Sequence, residues 1–394
     1  MKKCAVLLAA ACVAACVLAQ NPADMMAAFF GGGQVASVEN LRPMRVPMAP
    51  NMLLCMNVSY GPRQVGAGAA HADVAQLYDL VLPAEIGKIP KDAPVFIYIH
   101  GGAWAEGSKS WGIPMLADMA GKGFVGITMN YTMNHQKFGE HTFAEMLADI
   151  DALVSHLPKL GKAIGIDIKR FAIGGSSAGG HLSLLYAYDA ANPSVMGLSL
   201  AHKVPVACVL SDCGPTDLVS PEFTMSGMDA MKMSFRDSCV LFSVLSGGKR
   251  EFGSVAELSK RVSKFSPVSL VKKGCPPTIC VYAESAKSST SGKFLSAKGG
   301  KEQPYSDLWK ICGSKAPVPA EIGHDGIVPT QNYTALTNAL KKCSVPYDAR
   351  IENATHTMVF MKVPDSRTWA YECMMKYLGP APASAAEAKA PAKK

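Results

Sequence analysis

Charge is scarce in this 394-residue chain: Asp, Glu, Lys and Arg together make up 18% of it. The formal net charge is only +8, and part of it sits in Lys2, Lys3, Lys389, Lys393 and Lys394. No long basic run interleaved with aromatics occurs, which argues against a nucleic-acid partner. No two cysteines stand at the C-x-x-C spacing of a zinc or redox site, so no metal and no cofactor is expected. No segment after residue 19 is apolar for the ~20 residues a membrane-spanning helix requires, and the apolar run before it is shorter than that. What the chain has in quantity is apolar side chain, 49% of all residues, enough for an ordinary globular core. Its length suggests two or three domains at about 150 residues each, but α/β folds often run to about 250–300 residues as one unit.

The start of the chain reads as an export signal over residues 1–19. Lys2 and Lys3 form a positive region, and Ala5 to Ala15 form a short apolar one. Two processing routes follow from the next residues. Val17-Leu18-Ala19 before Gln20 suits a signal peptidase and a soluble product, the preferred reading. Val13-Ala14-Ala15-Cys16 resembles a bacterial lipobox, which would put a lipid on Cys16 and tether the chain to a membrane. Either way the expected location is exported, periplasmic or secreted. Three of the twelve cysteines lie in this signal, and an odd number remain, so at least one is unpaired. An oxidising compartment permits pairs such as Cys239 or Cys275 with Cys312.

Residues 20–50, rich in Gly, Met, Ala and Pro, read as a flexible or wrapping arm, and residues 379–394 as a solvated low-complexity tail. Over 51–378 short apolar runs alternate with helical patterns, the signature of a parallel sheet built from βαβ units. Strands are predicted at Met52–Val58, Ala75–Leu82, Pro94–Ile99, Phe124–Met129, Arg170–Ile173, Ala207–Leu210, Thr278–Tyr282 and Tyr347–Ile351. Helices are predicted near 112–122, 141–160, 178–190, 331–342 and 366–377. The first two strands have no helix between them and should form an antiparallel lead-in; the others should be parallel and buried on both faces. Residues 220–265 and 284–320 break the rhythm. They are expected as cap and insertion loops at the C-terminal side of the strands, where open α/β sheets bind ligands.

Gly175-Ser176-Ser177-Ala178-Gly179 is a G-x-S-x-G pentapeptide between a strand (RFAI, 170–173) and a helix (HLSLLYAY, 181–188). A nucleophilic serine needs that context: a tight turn lifts its hydroxyl above the sheet while the helix N-terminus supplies amides. His100-Gly101-Gly102-Ala103-Trp104 follows the strand VFIYI directly. Acyl transfer builds charge on a carbonyl oxygen, and fixed amides stabilise it. Gly102 and Ala103, with Ala178, are therefore the candidate oxyanion hole, and His100 and Trp104 are expected beside the substrate. The serine also needs a base, and the base an orienting acid. His181 lies only four residues beyond the serine on the same helix, and His202 comes too early in the order Ser, acid, His. His356 follows the strand YDARI, and Asp325 lies 31 residues before it, room for one helix and one strand. His324 as an alternative base, and Asp212 or Asp217 as an alternative acid, stay open.

These segments, LYDLVLPAE (77–85), IHGGAWAEGSK (99–109), MNY (129–131), IGIDIKRFAIGGSSAGGHLSLL (164–185) and GHDGIVP (323–329), resemble the esterase/lipase branch of the α/β hydrolases. That branch includes the hormone-sensitive-lipase-like carboxylesterases and the Bacteroidetes-type feruloyl and acetylxylan esterases. The resemblance covers residues 70–215 well and 265–375 more loosely. It implies an α/β-hydrolase fold, a Ser177–Asp325–His356 triad without cofactor, and hydrolysis of small-molecule or carbohydrate-linked esters, acetyl or feruloyl among them. The chain departs from the branch in three places. Ala103 replaces a third glycine, Thr-Met follows the histidine instead of Gly-Phe, and residues 284–320 separate the strand ending at Tyr282 from the acidic segment. Trp104, Trp111 and Trp309 offer faces for a sugar or an aromatic group, or pack in the core. Other readings on the same fold are a prolyl-oligopeptidase-like peptidase, an amidase resembling kynurenine formamidase, and a non-catalytic binding module.

Overall fold

The computed structural model describes residues 35–46, 49–62, 76–134, 140–297 and 300–379. The expected signal, most of the arm and the tail lie outside them. Strands β1 (Met44–Val46), β2 (Ala49–Ser59), β3 (Leu77–Leu82), β4 (Val95–Ile99), β5 (Val125–Met129), β6 (Phe171–Ser176), β7 (Val206–Asp212) and β8 (Thr278–Ala283) come first. Four short strands follow, β9 (Ala286–Ser289), β10 (Lys293–Leu295), β11 (Glu302–Pro304) and β12 (Glu321–His324), and then β13 (Tyr347–Glu352). Nine of these form one sheet in the order β1-β2-β3-β5-β4-β6-β7-β8-β13. Pairing is antiparallel from β1 to β5 and parallel from β5 to β13. The lead-in is as predicted, with β1 added; three residues are too short to show a period.

Side-chain alternation sends each central strand to two cores. Val95, Ile97 and Ile99 of β4 face one layer, with helix α2 (Phe143–Ile164) and helix α3 (Ala178–Asp189). Phe96 and Tyr98 face the other, with α1 (Ile113–Ala120) and, at the far end of the chain, Pro364–Leu378. The long helix α2 starts at a capping box between Thr142 and Glu145 and stops at Gly165, whose φ of 78° ends it.

Between β7 and β8 stand α4 (Pro221–Met231), α5 (Phe235–Leu245) and α6 (Val255–Val262). The stretch after β8, expected as a loop, is instead folded. It holds the β10–β11 hairpin, α7 (Ser306–Ile311) and an antiparallel pair of β9 with β12. Met225 and Met228 of α4 pack with Phe294, Tyr305, Leu308, Trp309 and Ile322 into a small core of their own. The two irregular stretches are thus one packed unit. The chain closes with α8 (Thr330–Lys342), α9 (Val359–Lys362) and α10 (Pro364–Leu378).

All nine cysteines from Cys55 to Cys373 are free thiols, and Cys239, Cys275 and Cys312, foreseen as possible disulfide partners, are unbonded. Cys275 turns its Sγ to the Leu270 carbonyl at 3.6 Å.

Candidate active site

Ser177 joins β6 to α3 with φ 55° and ψ −122°. A non-glycine residue holds such a conformation only when its surroundings fix it, at a cost of about 1–3 kcal/mol. Two observations supply the fixing. The Ser177 amide donates to the Asp212 carbonyl at 2.8 Å. Gly179 lets α3 approach β4 closely, since a Cβ there would lie 2.0 Å from the Ile99 carbonyl oxygen.

The structure brings Ser177, His356 and Asp325 together from three separate loops. Ser177 Oγ lies 2.8 Å from His356 Nε2, and His356 Nδ1 lies 2.7 Å from Asp325 Oδ2. The Asp325 side chain is fully buried, and its other oxygen accepts from the amides of Ile327 (2.9 Å) and Val328 (2.8 Å). Those bonds hold the carboxylate's plane and leave Oδ2 to the imidazole. The insertion does not carry Asp325 away from His356, for a local reason. In the β9–β12 pair His324 stands opposite Ala286, so the chain leaves the sheet after β8 and returns beside its point of departure, at Asp325.

The rival residues are engaged elsewhere. His324 Nδ1 accepts from the Gly326 amide at 3.0 Å, so its proton is on Nε2, which donates to Ser288 Oγ at 2.8 Å. His181 is buried between the Trp104 indole (3.2 Å) and the Phe265 carbonyl (2.8 Å), and desolvation lowers its pKa to about 4. His202 pairs with Asp189 at 3.0 Å. Asp217 accepts from the Val219 amide at 3.3 Å. Asp212 stays close to the serine, but it bonds Ser176 rather than a histidine ring.

After β4, Gly102, Ala103 and Trp104 take φ values of 107°, 50° and 62° in succession. The loop's own backbone bonds run to the Gly102 carbonyl, from the amides of Ala105 and Glu106, and do not use the Gly102 and Ala103 amides. Gly102 is required: a Cβ there would lie 2.1 Å from the Glu106 carbonyl oxygen. The two residues expected beside the substrate are packed inside. His100 is fully buried, stacks on Tyr131 with centroids 4.3 Å apart, and donates through Nδ1 to the Gly101 carbonyl at 2.7 Å. Desolvation takes its pKa down to about 4. Trp104 is 5% exposed and crosses Phe143 edge-on. Trp309, at 2%, is core of the insertion, while Trp111, at 47%, keeps an open face. The tryptophans were ambiguous in the sequence because an indole suits both settings.

Sequence reasoning passed over Tyr98, Ser176 and Cys213. Tyr98 Oη donates to Ser176 Oγ (3.2 Å), which donates to Asp212 Oδ2 (2.7 Å). The variable residue of the pentapeptide, Ser176, was the available signal. Cys213, Asp325 and His356 bring one potential ligand atom each within 4.8 Å of one another. They do not suit a cation: imidazole and carboxylate are bonded to each other, and burial holds the Cys213 thiol well above its ordinary pKa.

Among solved structures, esterase B from Lactobacillus rhamnosis superposes with a TM-score of 0.54 over 96% of each chain at 16% identity, which shows the shared α/β-hydrolase fold. Among curated relatives, a probable isoprenylcysteine alpha-carbonyl methylesterase from Oryza sativa subsp. japonica is 25% identical over 209 residues, 52% of this chain and 44% of its own. Esterase LipC from Mycobacterium tuberculosis is 32% identical over 123 residues, 31% of this chain and 29% of its own. The chain spans less than half the length of these relatives. The sequence model of one family, BD-FAE, matches residues 78–289, more than half of the chain. By that match, on this fold, the protein belongs to the BD-FAE family.

Proposed function

We propose that the protein is a serine carboxylic-ester hydrolase working through an acyl-enzyme. The observation that carries this reading is the 2.8 Å contact of Ser177 Oγ with His356 Nε2, with Nδ1 held 2.7 Å from Asp325. Asp325 fixes the tautomer with hydrogen on Nδ1, so Nε2 is the acceptor facing the serine. His356 takes the hydroxyl proton as Oγ attacks the ester carbonyl and returns it to the leaving alcohol. The amides of Gly102, Ala103 and Ala178 hold the oxyanion. Water, activated by the same histidine, then releases the acid.

The substrate class we propose is acetyl or feruloyl esters of carbohydrates. The motif resemblance supports it, and the exposed indole of Trp111 offers a face for a sugar or aryl ring. Export through residues 1–19, with Cys16 as a lipid site in the alternative, belongs to the same proposal, and fractionation of cells expressing the full chain tests it.

The enzymatic test is hydrolysis of p-nitrophenyl acetate and butyrate by the chain starting at Gln20, beside Ser177→Ala and His356→Ala. Turnover by the parent with a loss of about 10³-fold or more in both variants supports the reading. An inert parent, or Ser177→Ala as active as the parent, overturns it. Acetylated xylan and feruloylated arabinose then sort the substrate class.

A further inference from the structure

A second carboxyl lies under the elbow, and neither the motif nor the triad accounts for it. Asp212 ends β7 in register with Ser176 of β6 and is 2% exposed. It grips the elbow at two points. Its carbonyl accepts from the Ser177 amide at 2.8 Å, and its Oδ2 accepts from Ser176 Oγ at 2.7 Å. Behind Ser176 the chain of donors continues to the buried Tyr98 hydroxyl at 3.2 Å. Asp212 Oδ1 is buried and no N–H or O–H among the described residues reaches it, while the Cys213 thiol bears on the carboxyl. The next residue, Cys213, has its Sγ within 4.8 Å of ligand atoms of both Asp325 and His356. The groups that act on the Asp212 carboxyl are therefore Ser176 from the elbow, with Tyr98 of β4 behind it, Cys213, and His356 and Asp325 from their loops. Of these only His356 can carry positive charge.

A buried carboxyl is costly unless something nearby offsets the loss of water. Here the hydrogen bond from Ser176 does so in part, and a positive charge arises nearby only when His356 is protonated. We propose that Asp212 is a positioning residue for the reaction: it clamps the elbow through Ser176, and its negative charge supports the imidazolium of His356. The inference rests on the serine-hydrolase reading above. Burial raises the carboxyl to about 6, against the pull of Ser176 and His356. It therefore ionises in the range where a histidine base works.

The two functions separate by mutation. Asp212→Asn keeps the shape and an acceptor for Ser176 but removes the charge. Ser176→Ala cuts the clamp and, because it removes a hydrogen bond that favours the carboxylate, keeps the charge only on the neutral and alkaline side. In steady-state hydrolysis of p-nitrophenyl acetate across pH 5 to 9, Asp212→Asn is expected to lower kcat about tenfold with KM near the parent's. It should also move the acid limb of kcat/KM down by about one pH unit, because a negative neighbour no longer favours the imidazolium. Ser176→Ala should lower kcat on the neutral plateau, where Asp212 stays ionised, so its loss there reads the clamp alone. Asp212→Glu, which retains the charge, should keep the limb where it is even as kcat falls, and it serves if the Asn variant does not fold. An unmoved limb in Asp212→Asn, or a moved one in Asp212→Glu, overturns the proposal. A parent that turns over through Ser177 while Asp212→Asn matches it sinks this inference alone. An inert parent sinks the hydrolase reading and this inference with it.

Discussion

Asp325 and His356 are joined twice. The carboxylate meets the imidazole at 2.7 Å, and the His356 amide donates to the Asp325 carbonyl at 2.9 Å. The loop carrying His356 is thereby tied to the loop carrying Asp325 by main chain as well as side chain. Replacing the carboxylate chemistry should leave the loop in place. In Asp325→Asn the oxygen facing Ile327 and Val328 can persist, and the NH2 then faces Nδ1 and forces its proton to Nε2. We expect kcat to fall about 10³- to 10⁴-fold with little change in melting temperature. Calorimetry beside turnover checks this, and a loss of activity matched by unfolding would contradict it.

The loop after β4 is tested at Gly102. With φ 107° and a Cβ that would lie 2.1 Å from the Glu106 carbonyl oxygen, alanine forces the loop to move. The amides proposed to receive the oxyanion move with it. Gly102→Ala should cost about 10²- to 10³-fold in kcat. A smaller effect on substrate binding than on turnover would distinguish a lost oxyanion contact from a general collapse of the pocket.

Much of this architecture was open to reading because the informative residues answer to local rules. VFIYI (95–99) is apolar on both sides because β4 is buried on both faces, and the glycines of 175–179 answer to a close helix–strand approach. The short strands β9 to β12 escaped notice for an equally physical reason. Each has three or four residues, mostly exposed in β9, β10 and β11, with lysines or glutamates that give no period long enough to read. Their pairing is set by contacts across the insertion, which no local pattern encodes. The packing of His100 and Trp104 was hidden similarly: the H-G-G-A-W run shows that they flank the loop, not that Tyr131 and His181 await their rings.

Two buried neutral histidines give stability a pH dependence. His100 and His181 have folded pKa values lowered from 6.5 to about 4 by desolvation. The unfolded chain therefore binds these protons first, so stability is full above pH 6.5 and is lost as pH falls from there toward 4. Melting temperature should drop through that window. His181→Gln, whose side chain takes no proton, should flatten the drop even if it lowers stability at pH 8. An equally steep decline in the variant would remove His181 from the explanation.

Thiol chemistry should follow burial. Seven of the nine free cysteines are buried, and Cys312 and Cys343 are half-buried. In the chain starting at Gln20, Ellman's reagent should reach no more than these two quickly, and all nine only after denaturation. A reductant should leave the melting temperature unchanged. Fewer than nine thiols in the denatured, unreduced chain would mean that disulfides form in the expressed protein.

The insertion should matter to turnover at a distance. Trp309 is 2% exposed and belongs to the small core that also holds Met225, Met228 and Ile322 of β12. Removing so large a buried side chain costs about 3–5 kcal/mol where it stands. Much of that loss should be local, because this small core is a cluster of its own, linked to the main-sheet core through the partly buried Phe235. Ile322, however, is only three residues before Asp325, and β12 delivers that aspartate to His356. Trp309→Ala should therefore lower kcat while the main sheet stays folded. The expected signs are a slower reaction with serine-directed fluorophosphonates and faster amide exchange over 286–325, with exchange in β4 and β6 unchanged. If turnover and labelling match the parent while the insertion exchanges freely, the acid is held by the Ile327 and Val328 amides alone, and the insertion does not contribute to its placement.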